Sequence, residues 1–558
     1  MKAQENPDVI IIGAGAGGLA AAWRLGSIGL RVAVLEAGQY FRPLRDYPHR
    51  ENDERGLTYN ASVDARGVRR QTFGKRQTIP QELAAYRSRS AGDAEPSDGP
   101  RRYWGYSHVR GVGGSTLHFQ GEAHRYHPDE LTLQSKFGYG CDWPISYKEL
   151  VHYYAIAEKI IGISAPLHSF RPREGAPDFE PHRLSYGSQL LVPAFKKVGL
   201  DLLPNPVAVL KSKRGSRAAC NYCSCCTAGC PTGAKGSADV TFWPAARATG
   251  NVTLRTRATV FGIQTDVSGH ISHVLFRNRS GGADRLACRI LVMAAGAIET
   301  PRLLLTSTSR LFPSGLGNGD GQVGKHLTET LYWFSAGFHP EQIHSYRGLP
   351  RDGCAWNRAV HGANEGCLGG FTVSTNHGIP PFMSPTSYAA LFSGFGQPFQ
   401  DQVARHFGRG IALSATGQWL PSDSTFVDLD PTVHDENGLA VARITSALGH
   451  NEVALLKQMA ACVRSVLVEA GITELAFEQS ALDCFAASHV LGTCRMGTDS
   501  HTSVADKDSF SHEVPNLAFA DGSLIPSTGS GDSPFLTITA MSIRTADRIA
   551  SRLDEGKF

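Results

Sequence analysis

A chain of 558 residues, 41% hydrophobic and 19% charged, with 60 glycines and 30 prolines, is long enough for about two or three domains around a sizeable buried site. Nothing in that composition points to a collagen-like, coiled-coil or largely disordered protein, and a formal net charge of +4 is too mild to imply a nucleic-acid partner. No window approaches the roughly 18 uninterrupted apolar residues of a membrane span, and the opening MKAQENPDVIIIG lacks the apolar core and cleavage site of a signal peptide. A cytoplasmic protein is expected, with export alongside a partner subunit as the alternative.

Residues 8 to 12, DVIII, read as a central parallel strand. Gly13-Ala14-Gly15-Ala16-Gly17-Gly18 follows at once and opens a helical stretch, LAAAWRLGSIG, before RVAVLEAG supplies a second strand ending near Glu36. Strand, glycine turn, helix, strand and acidic residue together make a dinucleotide-binding fingerprint that glycines alone would not. Gly13 permits the tight turn, Gly15 lets a pyrophosphate reach the backbone at the helix N-terminus, Gly18 lets helix and strand pack closely, and Glu36 binds ribose hydroxyls. A glycine-rich turn without a ligand is the bland alternative, and the fingerprint does not choose between FAD and NAD.

Residues 41 to 103 are polar, with a basic knot at Arg66, Arg69, Arg70, Lys75 and Arg76. They read as a surface excursion, either a lid or docking surface or simply solvated charge in a long loop. Order returns at HVRGVGGSTLHFQGEAHR, where Gly111, Gly113 and Gly114 stand beside Ser115 and Thr116 and offer backbone amides to a phosphate or a flavin edge. Further on, RILVMAAGAIETPRLLLTS reads as a strand, a turn at Ala295-Gly296-Ala297 and a helix starting at Thr300-Pro301. The last segment carries SHVLGTCRMGTD and NLAFADGSLIPSTGSGDSPFLTITAMSIRTADRIASRL.

Together these segments resemble the glucose-methanol-choline (GMC) oxidoreductases, densely over roughly half the residues and not between about 311 and 480. The resemblance implies an α/β fold with FAD as cofactor. A Rossmann-like FAD-binding domain would be assembled from residues 1–45, 104–150, 225–325 and 481–558, with 46–103 as the excursion or lid. Residues 151–224 and 326–480 would form a substrate domain of mainly antiparallel sheet with flanking helices, candidate strands including IALSATGQWL and STFVDLD. It implies cofactor contacts at Gly13, Gly15, Gly18, Glu36, Gly113, Gly114, Ser115, Val260, Ala295, Gly296, Asp521, Gly522, Pro534 and Phe535.

Oxidising an alcohol to a carbonyl requires the hydroxyl proton to leave as hydride passes from carbon to flavin, so a base must lie within hydrogen-bond reach of the oxygen. His489 stands where the family places that base, just before Gly492-Thr493-Cys494-Arg495-Met496-Gly497, although an isolated histidine is also at home in a structural role. Where the family has a second His or Asn sharing the substrate oxygen, this chain has Ser533, so the paired donor is its hydroxyl, nearby Asp532, or missing. With Pro534 at the first helical position and apolar residues at 535, 538, 541 and 549, Ser533 also reads as a helix N-cap. That helix N-terminus would aim its positive end at the flavin.

Five of the 12 cysteines lie between Cys220 and Cys230, and C-x2-C-x2-C-x3-C-P is the spacing of ferredoxin cluster ligands. The run resembles the corresponding segment in catalytic subunits of bacterial FAD-dependent sugar dehydrogenases, which implies an iron-sulfur cluster on Cys220, Cys226 and Cys230 with Cys223 as a possible replacement. A disulfide pair, a zinc knuckle and plain packing remain as alternatives. The expected activity is oxidation of a small-molecule alcohol (a sugar, polyol or primary alcohol), electrons passing to an acceptor other than oxygen, a partner protein or small subunit among the candidates. Its rivals are an oxygen-using oxidase and an FAD-containing lyase.

Overall fold

The computed structural model describes residues 6–46, 77–78, 86–90, 107–167, 171–173, 175–359, 366–377, 382, 388–472, 475–482 and 489–557. The basic knot lies outside the described residues, as does most of the 46–103 excursion.

The apolar runs at the start of the chain form strands Val9–Ile12 and Val32–Glu36, buried at every position. They pair in parallel, and Ile290–Met293 flanks the first of them on its other side. Leu517–Phe519 and Val252–Thr256 complete a five-stranded parallel sheet in the order 517–519, 290–293, 9–12, 32–36, 252–256. Burial on both faces explains why these strands carry unbroken apolar sequence rather than alternation. Helix Ala16–Ser27 lies against the C-terminal helix Phe535–Asp554 and the 520 turn at very close range: an added Cβ at Gly17 would sit 1.8 Å from the Ala520 carbonyl oxygen. A small antiparallel sheet of Thr259–Thr265, Ile271–Arg277 and Ala283–Ala287 extends this domain.

The second domain is built on a six-stranded antiparallel sheet in the order Leu475–Ser480, Leu331–Phe338, Gly410–Gly417, Phe371–Thr375, Gly353–Ala355, Leu203–Pro204. The run IALSATG is its buried third strand, and helix His450–Glu469 packs Leu456, Met459 and Val463 into the same core as Leu331, Phe371 and Leu413. STFVDLD contributes to strand Phe426–His434, which pairs with Ala440–Leu448; Tyr86–Ser90, from the excursion, adds a parallel strand beside the latter. Among the described residues no helix is long and apolar enough to cross a membrane.

Three local expectations are corrected. Helix Tyr147–Ile161 runs across the boundary expected at residue 150: Ser146 caps it through the Glu149 amide, and it packs on the C-terminal helix, where Arg544 Nε donates to Glu149 at 2.8 Å. The helix expected to start at Thr300-Pro301 starts earlier and spans Gly296–Thr306, with Pro301 inside it. Proline lacks the N–H that would reach the Ala297 carbonyl, and Thr493 Oγ1 donates to that carbonyl instead at 2.6 Å. Finally, helix Phe535–Asp554 has Pro534 rather than Ser533 at its N-cap, and no side chain caps it.

Candidate active site

The nucleotide cradle is a meeting of two glycine turns. Gly13 adopts φ +106° and an added Cβ there would lie 2.3 Å from the Ala294 carbonyl oxygen, so only glycine fits between the strands. A Cβ on Gly18 would lie 2.1 Å from the Gly13 carbonyl oxygen, which is the close helix–strand contact expected of it. Gly15 is the opposite case: a Cβ there meets nothing within 4 Å, leaving open space above the helix N-terminus. The Gly113 N–H donates to Ala14 O at 2.8 Å, and an added Cβ on Gly114 would be 2.9 Å from Gly15 Cα, so the second turn is seated on the first. Ser115 is exposed at this turn, while buried Thr116 donates to Gly113 O at 2.5 Å.

Glu36 lies 7% exposed at the end of its strand, its carboxylate accepting from the Ala14 N–H at 2.9 Å and the Gly38 N–H at 2.7 Å. Burial raises its pKa against those bonds. Open space at Gly15, amides at a helix N-terminus and a carboxylate fixed at the strand end fit the diphosphate and ribose of FAD. Val260 stands apart, buried in the small antiparallel sheet opposite Phe276.

Asp521 is bonded to the 295–300 turn, where further cofactor contacts are expected. Its Oδ2 accepts from the Gly296 N–H at 2.8 Å and from Thr300 Oγ1 at 2.6 Å, and burial raises its pKa. Ala295 is the N-cap of that helix, and Gly296 has open space where a Cβ would be. The loop after His489 is laced to the same segment by Gly492 N–H to Gly522 O, Cys494 N–H to Ser523 O and Met496 N–H to Leu524 O, at 3.1, 2.9 and 3.0 Å. Leu491 bridges to Thr328 just before the second domain's sheet, and His489 Nδ1 lies 2.9 Å from Thr330 Oγ1. His489 is thus held where the two domains meet.

The segment around Ser533 is gripped from both sides. Gly531 adopts φ +89°, and an added Cβ would lie 1.9 Å from Thr416 O of the antiparallel sheet. Phe535 packs its ring at a tilt against Phe119, centroids 4.8 Å apart. Ser533 is 6% exposed, and its N–H donates to His124 Nδ1 at 3.2 Å. Asp532, considered above as a substitute donor, is committed elsewhere: it is fully buried, ion-pairs with Arg171, and has His124 Nδ1 at 3.4 Å. Burial pushes its carboxyl up, but the Arg171 guanidinium outweighs burial and holds it below the usual range. His124 Nε2 lies 2.7 Å from Asn205 Oδ1, and the Asn205 amide donates to Glu122 at 3.2 Å. Glu122 accepts from Arg351 at 3.0 Å, and the Arg351 guanidinium outweighs burial and keeps its carboxyl below the usual range. Sequence reasoning missed Glu122, His124, Arg171, Asn205 and Arg351.

The cysteines do not assemble as their spacing suggests. Among the described residues no group of three or more Cys, His, Asp or Glu side chains is placed to hold a metal ion, and no disulfide joins Cys220, Cys223, Cys225, Cys226 or Cys230. Left-handed Tyr222 (φ 56°) and Ser224 (φ 60°) turn the loop, so its sulfurs meet separate partners. Cys220 accepts from the Tyr222 N–H and Cys230 from the Lys235 N–H, while Cys225 donates to Cys223 O. Burial pushes the Cys220 thiol up to about 12 and Cys226 higher still. The thiols lie near enough for Cys220 and Cys226 to be raised by Cys223 and Cys230 as well as by burial. The loop is tied down by buried Lys235, whose ammonium donates to the carbonyls of Leu117, Phe119 and Cys226 at 2.8, 3.1 and 2.6 Å.

A parallel sheet with this glycine turn, and a histidine loop joined to an antiparallel substrate sheet, defines an FAD-dependent oxidoreductase. Two GMC oxidoreductase models match residues 187–331 and 421–542, and an FAD binding domain model matches 8–43. The chain belongs to the GMC oxidoreductase family, FAD enzymes that oxidise CH–OH donors. It is 28% identical to the 2-methyl-1,2-propanediol dehydrogenase of Mycolicibacterium austroafricanum over 99% of this chain and 96% of that protein. It is 25% identical to the fructose dehydrogenase large subunit of Gluconobacter japonicus over 99% of each. The pyridoxine 4-oxidase of Mesorbium loti shares the fold, with a TM-score of 0.61 at 18% identity, covering 98% of this chain and 99% of that one.

Proposed function

We propose that the protein dehydrogenates a small polyol, sugar or primary alcohol to the carbonyl, with His489 as the base, and passes the electrons to an acceptor other than oxygen. The observation that carries this reading is the position of His489, bolted through residues 490–496 to the Asp521–Gly522 segment and through Thr330 to the substrate sheet. FAD, when bound, supplies the two-electron acceptor. In this reading His489 Nδ1–H donates to Thr330 Oγ1, which fixes the tautomer and presents Nε2 to the substrate hydroxyl. As Nε2 takes the hydroxyl proton, the ionised Glu122 carboxylate favours the resulting imidazolium. Ser533, its backbone held by His124, offers the second hydrogen bond to the substrate oxygen in place of the family's His or Asn.

The diol and fructose dehydrogenases among the relatives support a hydroxylated substrate and a non-oxygen acceptor, and the relative named a large subunit supports a protein partner. No electron-transfer step is assigned to the cysteines. Anaerobic mixing of the yellow holoenzyme with a panel of diols, sugars and primary alcohols tests the proposal: at least one bleaches the flavin, and turnover then requires a dye or quinone rather than oxygen. Bleaching followed by fast reoxidation in air makes it an oxidase, and no bleaching with any alcohol removes redox chemistry on this panel altogether.

A further inference from the structure

Where strands Phe371–Thr375 and Gly410–Gly417 lie side by side, the second domain's sheet has an apolar face and a polar one. Side chains alternate along each strand, so Phe371 and Val373, with Leu413 and Ala415 beside them, enter the core built with helix His450–Glu469. Thr372, Ser374, Ser414 and Thr416 point the other way, and Asn376, whose N–H still bonds Ala412 O at 2.9 Å, continues their row. All five are buried. A buried face of hydroxyls and an amide is costly unless those groups find partners. This face looks toward the proposed reaction. Thr372 Oγ1 donates to Gly531 O at 3.4 Å, two residues before Ser533. At the same end of the sheet, Leu331 pairs with Gly417 and directly follows Thr330, the partner of His489.

The polar side chains are not equally committed. Ser374 Oγ donates to Cys354 Sγ at 3.3 Å. The Asn376 amide is held more loosely: Gln120 Nε2 donates to its Oδ1 and its Nδ2 donates to Ser414 Oγ, each at 3.4 Å. Both bonds exceed the usual N–H···O range of about 2.7–3.2 Å. Among the described residues they leave the Ser414 O–H as a donor and Gln120 Oε1 as an acceptor. Gln120 is half-buried and follows Phe119, whose ring packs against Phe535 beside Ser533. Alternate residues on a strand are about 7 Å apart, so Ser414 lies one such step from Thr416, and Asn376 two from Thr372. Both therefore stand away from the reacting hydroxyl, farther along the sheet. We propose that Gln120, Asn376 and Ser414 form a subsite for substrate hydroxyls other than the one oxidised, and so select a polyol or sugar over a monohydroxy alcohol. An alkyl chain laid on this row would cover the amides without bonding them, whereas a second hydroxyl both accepts and donates there. The inference rests on the proposed alcohol oxidation and specifies which alcohol.

The test compares alcohols of equal chain length, erythritol with butanol and sorbitol with hexanol, by the second-order rate of anaerobic flavin reduction in the holoenzyme. In the unaltered protein at least one polyol should exceed its partner by about tenfold or more, the scale of one or two hydrogen bonds. Asn376→Leu, close in volume, removes both amide bonds and should shrink that ratio about tenfold. A merely structural role would slow both alcohols together and leave the ratio as it was. Monohydroxy alcohols used as well as the polyols, or a ratio that survives in Asn376→Leu, overturns the proposal. Should that variant not fold, Gln120→Met, at its half-buried position, decides in its place. If no alcohol of either kind reduces the flavin, the proposed reaction falls and binding decides this inference separately. A polyol should then still perturb the oxidised flavin spectrum saturably, and about tenfold more weakly in Asn376→Leu. No perturbation in the unaltered protein, or equal binding by the two proteins, overturns the subsite.

Discussion

Replacing Gly15 by valine separates cofactor binding from folding more cleanly than any other change in the cradle. Gly15 has φ −79° and ψ −164°, an extended conformation open to branched residues, and a Cβ there meets no protein atom within 4 Å. The apoprotein should therefore fold with stability within about 1 kcal/mol of the unaltered protein, the shift arising mainly from the unfolded chain. The valine side chain instead fills the space where the diphosphate meets the amides. Losing about two charge-assisted hydrogen bonds removes roughly 3 kcal/mol or more, at least a hundredfold in FAD affinity. Gly18→Ala is the contrasting control: its Cβ would lie 2.1 Å from Gly13 O, so strand and helix must separate and stability falls with or without FAD. Titrating each apoprotein with FAD, followed by flavin fluorescence, alongside thermal unfolding, measures both quantities. A Gly15→Val protein that binds FAD normally, or unfolds like Gly18→Ala, would refute the reasoning.

Thr330→Val removes the partner of His489 Nδ1 at nearly constant volume and should slow flavin reduction about tenfold with FAD content unchanged, measured in single-turnover mixing. Asp532→Asn leaves Arg171 buried without its counter-charge and should cost about 3–5 kcal/mol in denaturant unfolding. Asp532 and Glu122 titrate lower in the folded chain than their ordinary values of 3.8 and 4.5. The stability they add is therefore full above those values and drains as pH falls through the folded pKa, so Asp532→Asn should flatten the acid limb of stability against pH. Since the thiols between Cys220 and Cys230 form no ligand set, iron analysis of protein made anaerobically should return no stoichiometric iron. Stoichiometric iron would mean that the loop rearranges around a cluster.

The cradle was legible because its physics is local: a strand, a glycine turn and a helix within about thirty residues oblige Gly13 and Gly18 to be small and leave Gly15 open. Helix limits were harder. Pro301 reads as a helix start, yet Thr493, far along the chain, occupies the carbonyl that proline leaves unbonded, so the helix tolerates it inside. The polar network behind Ser533 was not legible. Its partners are far apart in sequence, with His124 and Ser533 separated by 409 positions, and only the fold brings them together. The available signal was GEAHR, a charged run closing a glycine-rich segment, in which Glu122, Ala123, His124 and Arg125 all prove buried. The cysteine spacing does not by itself fix where sulfurs point; Tyr222 and Ser224 in the left-handed region turn the loop.

The central claim is that His489 takes the substrate proton at an FAD site. Rapid anaerobic mixing of His489→Gln and the unaltered protein with the best alcohol from the panel tests it most directly. Both should carry the same amount of FAD, because no FAD-cradle residue is changed, and the variant should bleach about a hundredfold or more slowly, the scale for loss of a positioned base. Equal rates in the two proteins would contradict the account.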